Sequence, residues 1–282
     1  MRDRQHRWWP WARASAMLAM AAMAMAWPRA AAAQYNAPPL SSLAIGERYH
    51  VEVSGTLWNP DVVGVVSSDE FGLVGSNLDF VSDLAFKPTR FKDVRLVLRP
   101  ARKHKLRFQY TPIAYEAHTV LSREIIFRGQ KIKPAIPITS TFDWKVMRFG
   151  YEYDFVYRNR GFVGLLIEGR YTEFGASLAA PLAGTAEFTS AKAPLPAIGM
   201  VGRAYILPNV ALNFEVSGMT LPNVDPKYQA KYYDWDINGV ANLTNNFGIQ
   251  VGWRRMTTFL KIDDDSGDFK FQGLYFGASL RY

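Results

Sequence analysis

From Leu274 to the final Tyr282 every second residue is apolar. Leu274, Phe276, Ala278, Leu280 and Tyr282 alternate with Gly273, Tyr275, Gly277, Ser279 and Arg281 on the other side. A period of two is the period of a β-strand, whose successive side chains point to opposite faces. The strand therefore presents one face to an apolar medium and one to a polar one. Before Gly273 the pattern changes sense: Phe269 and Phe271 fall on the polar side, Lys270 and Gln272 on the apolar side. That change predicts a bulge at Gly273, or the point where the strand leaves an apolar layer.

Nine further segments alternate in the same way: 49–58, 78–99 (interrupted at Pro88), 106–111, 147–155, 163–172, 198–206, 212–217, 233–243 and 247–254. Four joints between them are tight and rich in turn formers: Pro100–Lys103, Arg158–Gly161, Pro208–Asn209 and Thr244–Asn246. Between these lie longer stretches, 59–77, 116–141, 180–195, 221–231 and 262–268. Long and short connections alternate, beginning and ending with a long one. Ten strands follow, with both termini at the short-turn end and with eight or twelve strands as the alternatives, since Pro88 can split one segment and Ser122–Pro137 can add a hairpin.

Hydrophobic residues make up 49% of the 282-residue chain, yet the mean hydropathy is −0.11 and no long apolar run follows Ala33. This excludes a bundle of membrane helices but suits a barrel, which spreads its lipid face over alternate positions. The chain begins with Arg2, Arg4, Arg7 and Arg13, an apolar run from Ala16 to Trp27, and Ala31-Ala32-Ala33. That is the pattern of a secretory signal peptide cleaved after residue 33. Residues 34–46, with Pro38 and Pro39, read as a leader, and 47–282 as one barrel domain. Removing residues 1–33 takes away five Arg and one Asp and lowers the formal charge from +8 to +4. A nucleic-acid partner inferred from the high charge is therefore set aside. There is no cysteine, hence no lipid-anchoring thiol and no disulfide.

The terminal alternation ending on an aromatic residue resembles the closing strand of Gram-negative outer-membrane β-barrels. The resemblance covers residues 47–282. It implies an all-β, transmembrane, up-and-down antiparallel barrel in the bacterial outer membrane. It also implies that Leu274, Phe276, Leu280 and Tyr282 are read by the barrel-assembly machinery. Leu78–Phe86 is similar to an acidic strand of many small uncharacterised barrels, a likeness that transfers no functional residue.

Strand parity then assigns the lumen. Its acids are Glu52, Asp93, Glu152, Asp154, Glu168, Glu215, Asp234 and Asp236. Its bases are Arg95, Arg99, Lys105, Arg107, Arg148, Arg170, Arg203, Arg254 and Arg281. Arg suits planar bidentate pairing with carboxylates. Eight charges against nine read as an interlocked, salt-bridged lumen; the competing reading is a narrow passage for small solutes or hydrophobic compounds. A ten-stranded bore filled with long side chains, and favouring neither sign, supports the first. Aromatic girdles are expected at Tyr157, Phe162, Phe247 and Tyr282 beside the short turns, and at Trp58, Trp144, Tyr171, Trp235 and Trp253 toward the long loops.

Catalysis has little support. Of His50, His104 and His118, only His118 lies toward the long loops, near Glu116 and Ser122, and a hydrolase needs nucleophile, base and orienting group to meet. The Asp263–Asp268 run is rich in oxygen ligands but lacks EF-hand spacing, so neither a cofactor nor a metal is expected. The expected partners are outer-membrane lipid and lipopolysaccharide. Arg102, Lys103, His104, Lys105, Arg158 and Arg160 would face anionic headgroups at one rim, and Arg123, Arg128, Lys131 and Lys133 lipopolysaccharide phosphates at the other. A monomer is expected.

Overall fold

The computed structural model describes residues 43–68, 76–127, 130–181, 185–221, 228–262 and 265–282. The signal peptide, most of the leader and the start of the Asp263–Asp268 run lie outside these residues. In chain order the strands are β1 (Val51–Ser68), β2 (Leu78–Asp79), β3 (Phe91–Ala101), β4 (His104–Val120), β5 (Ile125–Phe127), β6 (Gln130–Ile132) and β7 (Pro137–Arg158), followed by β8 (Gly161–Ala180), β9 (Thr185–Leu207), β10 (Val210–Thr220), β11 (Tyr228–Asn242), β12 (Phe247–Ile262) and β13 (Asp265–Arg281). All except β2, β5 and β6 pair antiparallel with their neighbours in sequence, and β13 pairs with β1. The result is a closed ten-stranded barrel.

The short joints fall at 102–103, 159–160, 208–209 and 243–246, as the turn formers require. At the opposite end the strands run much further than alternation indicates. β7 has 22 residues and β9 has 23, and β8 and β9 stay in register out to the Ala180–Thr185 pair. The stretches 116–141 and 180–195, expected as long loops, are thus largely strand. A tilted strand crosses a bilayer in about 9–11 residues, so this wall projects well beyond one.

Outward positions carry a continuous apolar belt that includes Val53, Leu98, Leu106, Phe149, Ile167, Ile198, Leu212, Trp235, Val251, Leu274 and Leu280, all exposed. A patch of this extent is avoided by monomers in water and fits acyl chains. Above it the outward face turns charged, with Lys92, Lys145, Glu173, Lys231 and Arg255.

Several expectations are corrected. Leu78–Phe86 is not part of a wall strand: only Leu78 and Asp79 pair with β1, and the chain then turns inward. Gly273 marks no bulge, because β13 keeps unbroken register with both β1 and β12 through it. Phe269 and Phe271 simply face the lumen. Trp58, Trp144 and Phe162 also point inward and are buried rather than forming girdles; their strand parity outweighs the preference of aromatic rings for an interface. Tyr49 is buried at the barrel mouth, ahead of the first strand, not outward on it.

Prolines mark where the wall lacks a neighbour. β3 is short, so its last pair with β1 is Trp58–Phe91 and its last with β4 is Val94–Tyr110. Pro60 and Pro112 stand two residues beyond these pairs on either side of the gap. Likewise β9 loses β10 beyond the Ile198–Gly218 pair, and Pro196 and Pro194 follow. Proline has no N–H to give a ladder, so it belongs on such open edges. In this gap Leu78 and Asp79 pair with β1.

Candidate functional site: the filled lumen

At the short-turn end a strap formed by residues 43–50 crosses the barrel mouth. The Ala44 and Ile45 amides donate to the Asn159 and Pro208 carbonyls (3.1 and 2.9 Å), and Gly46 N–H donates to Asn245 Oδ1 (3.3 Å). Three turns are thereby tied together. Gly46 has φ +83°, in the left-handed region, and a Cβ there would lie 2.8 Å from the Asn242 side chain; glycine meets both demands. Beyond it the strap sends Glu47 into the barrel, where Arg203 holds Oε1 at 2.9 Å and Arg99 lies 3.5 Å from Oε2.

Above the strap the lumen charges interlock. Lys105 Nζ contacts Glu152 (2.6 Å) and Asp154 (2.9 Å). Arg107 joins Glu152 to Glu215, both at 2.5 Å, and Arg95 joins Glu215 (3.5 Å) to Asp236 (3.2 Å). Arg148 reaches Glu168 (2.7 Å), Glu215 (2.5 Å) and Asp234 (3.3 Å), and Arg170 reaches Glu168 (2.5 Å) and Asp234 (3.5 Å). Arg254 binds Asp234 at 2.8 Å and Asp93 at 3.3 Å. Glu52 is shared by Arg203 (3.7 Å) and Arg281, which contacts it directly. Every lumen charge assigned by parity joins this lattice.

Lys105, assigned to the lumen by parity and also counted among the rim cations, is fully buried within the lattice and not at the rim. Its neighbours on the strand are outward or in the turn, so parity, not proximity to the turn, decides its place. Glu47 was not foreseen, because it belongs to the strap and follows no strand parity. It brings the acids to nine, equal to the nine bases. The polar connectors Gln109, Thr111, Asn213, Asn238 and Asn242 share the parity of the charges and could have been found by it.

Buried charges of opposite sign at these distances compensate one another only when further hydrogen bonds satisfy them, and this lattice leaves little room. One cavity of about 50 Å³ lies among Tyr49, Lys105, Glu152 and Arg203, and one of about 10 Å³ among Trp58, Asp93, Arg254 and Tyr275; Ser54, Arg95 and Gln250 separate them. A water needs about 10–15 Å³, so a few waters fit and neither cavity is a bore.

Above Arg254, whose guanidinium lies 5.2 Å over the Trp58 ring, the lumen becomes apolar. The wall supplies Trp58, Phe142, Trp144, Phe174, Phe269 and Phe271; the inserted segment supplies Leu78, Phe80, Leu84 and Phe86. Phe80 lies 4.7 Å from Phe142, 5.5 Å from Phe269 and 5.1 Å from Phe86, centroid to centroid. Its ring seats against Gly64, where a Cβ would approach to 2.9 Å, and its N–H donates to the Gly64 carbonyl (2.9 Å). The turn is closed by Asp79 Oδ1, which accepts from Val81 and Ser82 N–H, and it places Ala85 at φ +56°, a conformation that costs a non-glycine residue about 1–3 kcal/mol. Arg123 clamps the turn from outside, donating to Asp83 Oδ2 and the Asn77 carbonyl, both at 2.7 Å. That hydrogen bond holds the Asp83 carboxyl below its usual range, against a smaller opposing effect of burial.

Among the described residues the three histidines lie apart. His118 is on the outer surface of β4, 3.7 Å from Glu116 and bonded to Thr139 Oγ1 (2.9 Å). His104 contacts the Tyr151 hydroxyl (2.5 Å), and His50 lies near the Arg99 carbonyl (3.4 Å). Among the described residues no cluster of three or more His, Asp or Glu is arranged to hold a metal. Arg128 lies outside the described residues.

No protein-family model matches the chain, and no curated protein matches its sequence. Among solved structures it is similar to the outer membrane protease OmpT of Escherichia coli, with a TM-score of 0.51 and 11% identity over 86% of this chain and 100% of that one. It is less similar to Ail, the attachment invasion locus protein of Yersinia pestis, in complex with a heparin analogue (TM-score 0.37, 12% identity, 83% of this chain and 99% of that one). The toluene transporter TodX of Pseudomonas putida matches at a TM-score of 0.32 and 8% identity, over 83% of this chain and 90% of that one. At such identities the OmpT likeness speaks for the fold alone, an outer-membrane type of barrel.

Proposed function

We propose that the protein is an integral barrel of a bacterial outer membrane, closed to solutes, with a structural or surface-interaction role. In this reading the short turns and the strap face the periplasm and the long strands project outward. The observation that carries it is the filled lumen: strap, charge lattice and aromatic plug succeed one another along the bore, and the two cavities within the lattice hold about 50 and 10 Å³. The sheet closes on itself through the β1–β13 pairing, and Pro194 and Pro196 blunt the edge that β9 leaves free beyond Ile198, which supports a monomer. Leu274, Phe276, Leu280 and Tyr282 stand exposed on the outward face of the closing strand, accessible to assembly machinery. The chemistry found at His118 supports no hydrolase, since its bonded partner is Thr139 and its charged neighbour Glu116 lies on an open surface.

Purified protein in planar lipid bilayers tests the reading. No discrete conductance steps are expected, and steps from unmodified protein would overturn it. One feature favours a narrow polar passage as the second reading. Arg95, with 19% of its side chain accessible, is more open than any other lattice cation and stands between the two cavities. If that reading holds, Arg95→Ala opens conductance; in a closed barrel it only weakens the fold.

A further inference from the structure

We propose that a pocket at the short-turn rim binds one anionic glycerophospholipid of the inner leaflet, with its phosphate on Arg48 and Arg102 and its glycerol end against Tyr157 and Tyr282. The proposal rests on the outer-membrane placement above and adds a defined ligand site to it.

The pocket has a volume of about 610 Å³ and lies between the strap, the β3–β4 turn and the inner end of the β1–β13 seam, with Tyr157 of β7 also lining it. That volume falls within the range of about 300–1,000 Å³ usual for small-molecule sites. Arg99 joins its two sides. The guanidinium donates to the Glu47 carbonyl (2.8 Å) on the strap and to the Arg102 carbonyl (3.1 Å) in the turn. It also lies over two rings, 5.2 Å from the Tyr49 centroid and 5.0 Å from that of Tyr157. One buried side chain thus ties strap to turn, and the space between them is preformed.

Charge then selects the ligand. The Arg102 guanidinium lies 5.4 Å over the Tyr157 ring. A guanidinium held by a ring face keeps its N–H donors for an anion. Arg48 and Arg102 are both exposed, and among the described residues neither forms an ion pair. Residues 34–42, which lead into the strap, contain no acid. Counting the Tyr282 carboxylate, the lining carries three guanidiniums against two carboxylates, and Glu47 is already held by Arg203 at 2.9 Å. The cations left over call for an anion.

The rest of the lining says which anion. Leu43, Pro100, Ala101, Tyr157 and Tyr282 give the pocket a carbon surface. Tyr282 continues the outward row of Leu274, Phe276 and Leu280 and is 87% exposed, so the pocket opens where the belt ends and headgroups begin. A free phosphate ion or a polar periplasmic polymer would leave the carbon surface uncovered. A phospholipid sets its phosphate on the arginines and its glycerol and acyl roots on that surface.

Native mass spectrometry of the folded, detergent-purified barrel, incubated with phosphatidylglycerol or with phosphatidylcholine of the same acyl chains, tests this. One retained phosphatidylglycerol per barrel is expected, with phosphatidylcholine held at least tenfold more weakly. Arg48→Gln/Arg102→Gln should lower retention at least tenfold, and Ala101→Trp, which fills the pocket at constant charge, should lower it as well. Lys103→Gln/Arg158→Gln removes the same charge from the same rim outside the pocket and should leave retention unchanged. Heat-modifiable gel mobility establishes that each variant is folded. Equal retention by Arg48→Gln/Arg102→Gln, equal loss in Lys103→Gln/Arg158→Gln, equal retention of phosphatidylcholine, or displacement by inorganic phosphate or soluble muropeptides would overturn the proposal. A chain that stays dispersed without detergent and shows no heat-modifiable mobility would strike the membrane reading itself; a detergent-dependent folded barrel that retains no phosphatidylglycerol would strike this site alone.

Discussion

Arg254 stands where the charge lattice meets the aromatic plug, and replacing it tests whether the lumen is dry. It holds Asp234 through two hydrogen bonds, Nε–Oδ1 at 3.1 Å and Nη2–Oδ2 at 2.8 Å, and it reaches Asp93 at 3.3 Å. Arg254→Met keeps most of the volume and the contact with Trp58 while deleting the charge. Removing one partner from a buried ion pair costs about 3–5 kcal/mol, because the other charge is left uncompensated. Here Asp234 still has Arg148 at 3.3 Å and Arg170 at 3.5 Å, which softens the loss on that side. Asp93 keeps only its hydrogen bonds from Gln109 and Thr111. The lower end of the range follows, about 3 kcal/mol. In Arg254→Met/Asp93→Asn the stranded charge is gone, and about 1–2 kcal/mol should return, a coupling of the size seen between contacting residues. Urea unfolding in lipid vesicles, followed by tryptophan fluorescence and gel mobility, measures both numbers. A loss below about 1 kcal/mol for the single variant, with no recovery in the double, is what solvated surface pairs show. That result would mean water threads the lattice, and the closed-lumen argument would fall with it.

Three further outcomes are expected. Gly64→Val pushes the Phe80 ring off its seat, at the overpacking cost of about 1–3 kcal/mol; limited proteolysis should then cut between residues 78 and 90 faster than in the native barrel, and unchanged cutting would show that the segment is not wedged there. Asp83 has a depressed carboxyl pKa, so the grip of Arg123 on the inserted turn is full above the usual aspartate value near ~3.9 and is lost as pH falls through the lower folded value. Acid should therefore speed the same proteolysis, and Arg123→Gln, fast-cut at neutral pH, should abolish the acid dependence. Deleting Tyr282 should leave secretion intact and impair insertion, read as accumulation of unfolded protein in the periplasm; normal insertion would remove Tyr282 from the assembly signal.

Parity made most of this molecule legible. Which of Arg148, Phe149, Glu152 and Tyr153 face in or out depends only on odd and even positions, and the strand geometry enforces it up to the register shift after Tyr153, where Phe155 and Val156 are both exposed. What parity could not supply is the nature of the medium on each side. Phe269 and Phe271 read as a change of phase only if the lumen is polar along its whole length; in fact the backbone is regular and the lumen changes from charged to aromatic. Leu78, Phe80, Leu84 and Phe86 are spaced much as a strand would space them, yet Asp79, Ser82 and Asp83 close a side-chain-bonded turn in their midst. Those turn formers, with Pro88 after them, were the available signal. Glu47 carried none, since its burial depends on a strap whose path is set by three distant turns.

The β1–β13 seam has a kinetic consequence. Every other wall pairing joins strands that follow one another in the chain, so hairpins can form as soon as their residues are available. The seam joins residues far apart in the chain, 229 positions for Glu52 and Arg281, and must wait for the last strand. Loop-closure entropy makes such long-range pairing slow. Its register is nevertheless heavily proofread: a slip of one residue would turn Arg281 toward lipid and Leu280 toward Glu52. The first and last strands thus act as a latch that accepts a single alignment, and an incomplete chain has no means of closing it.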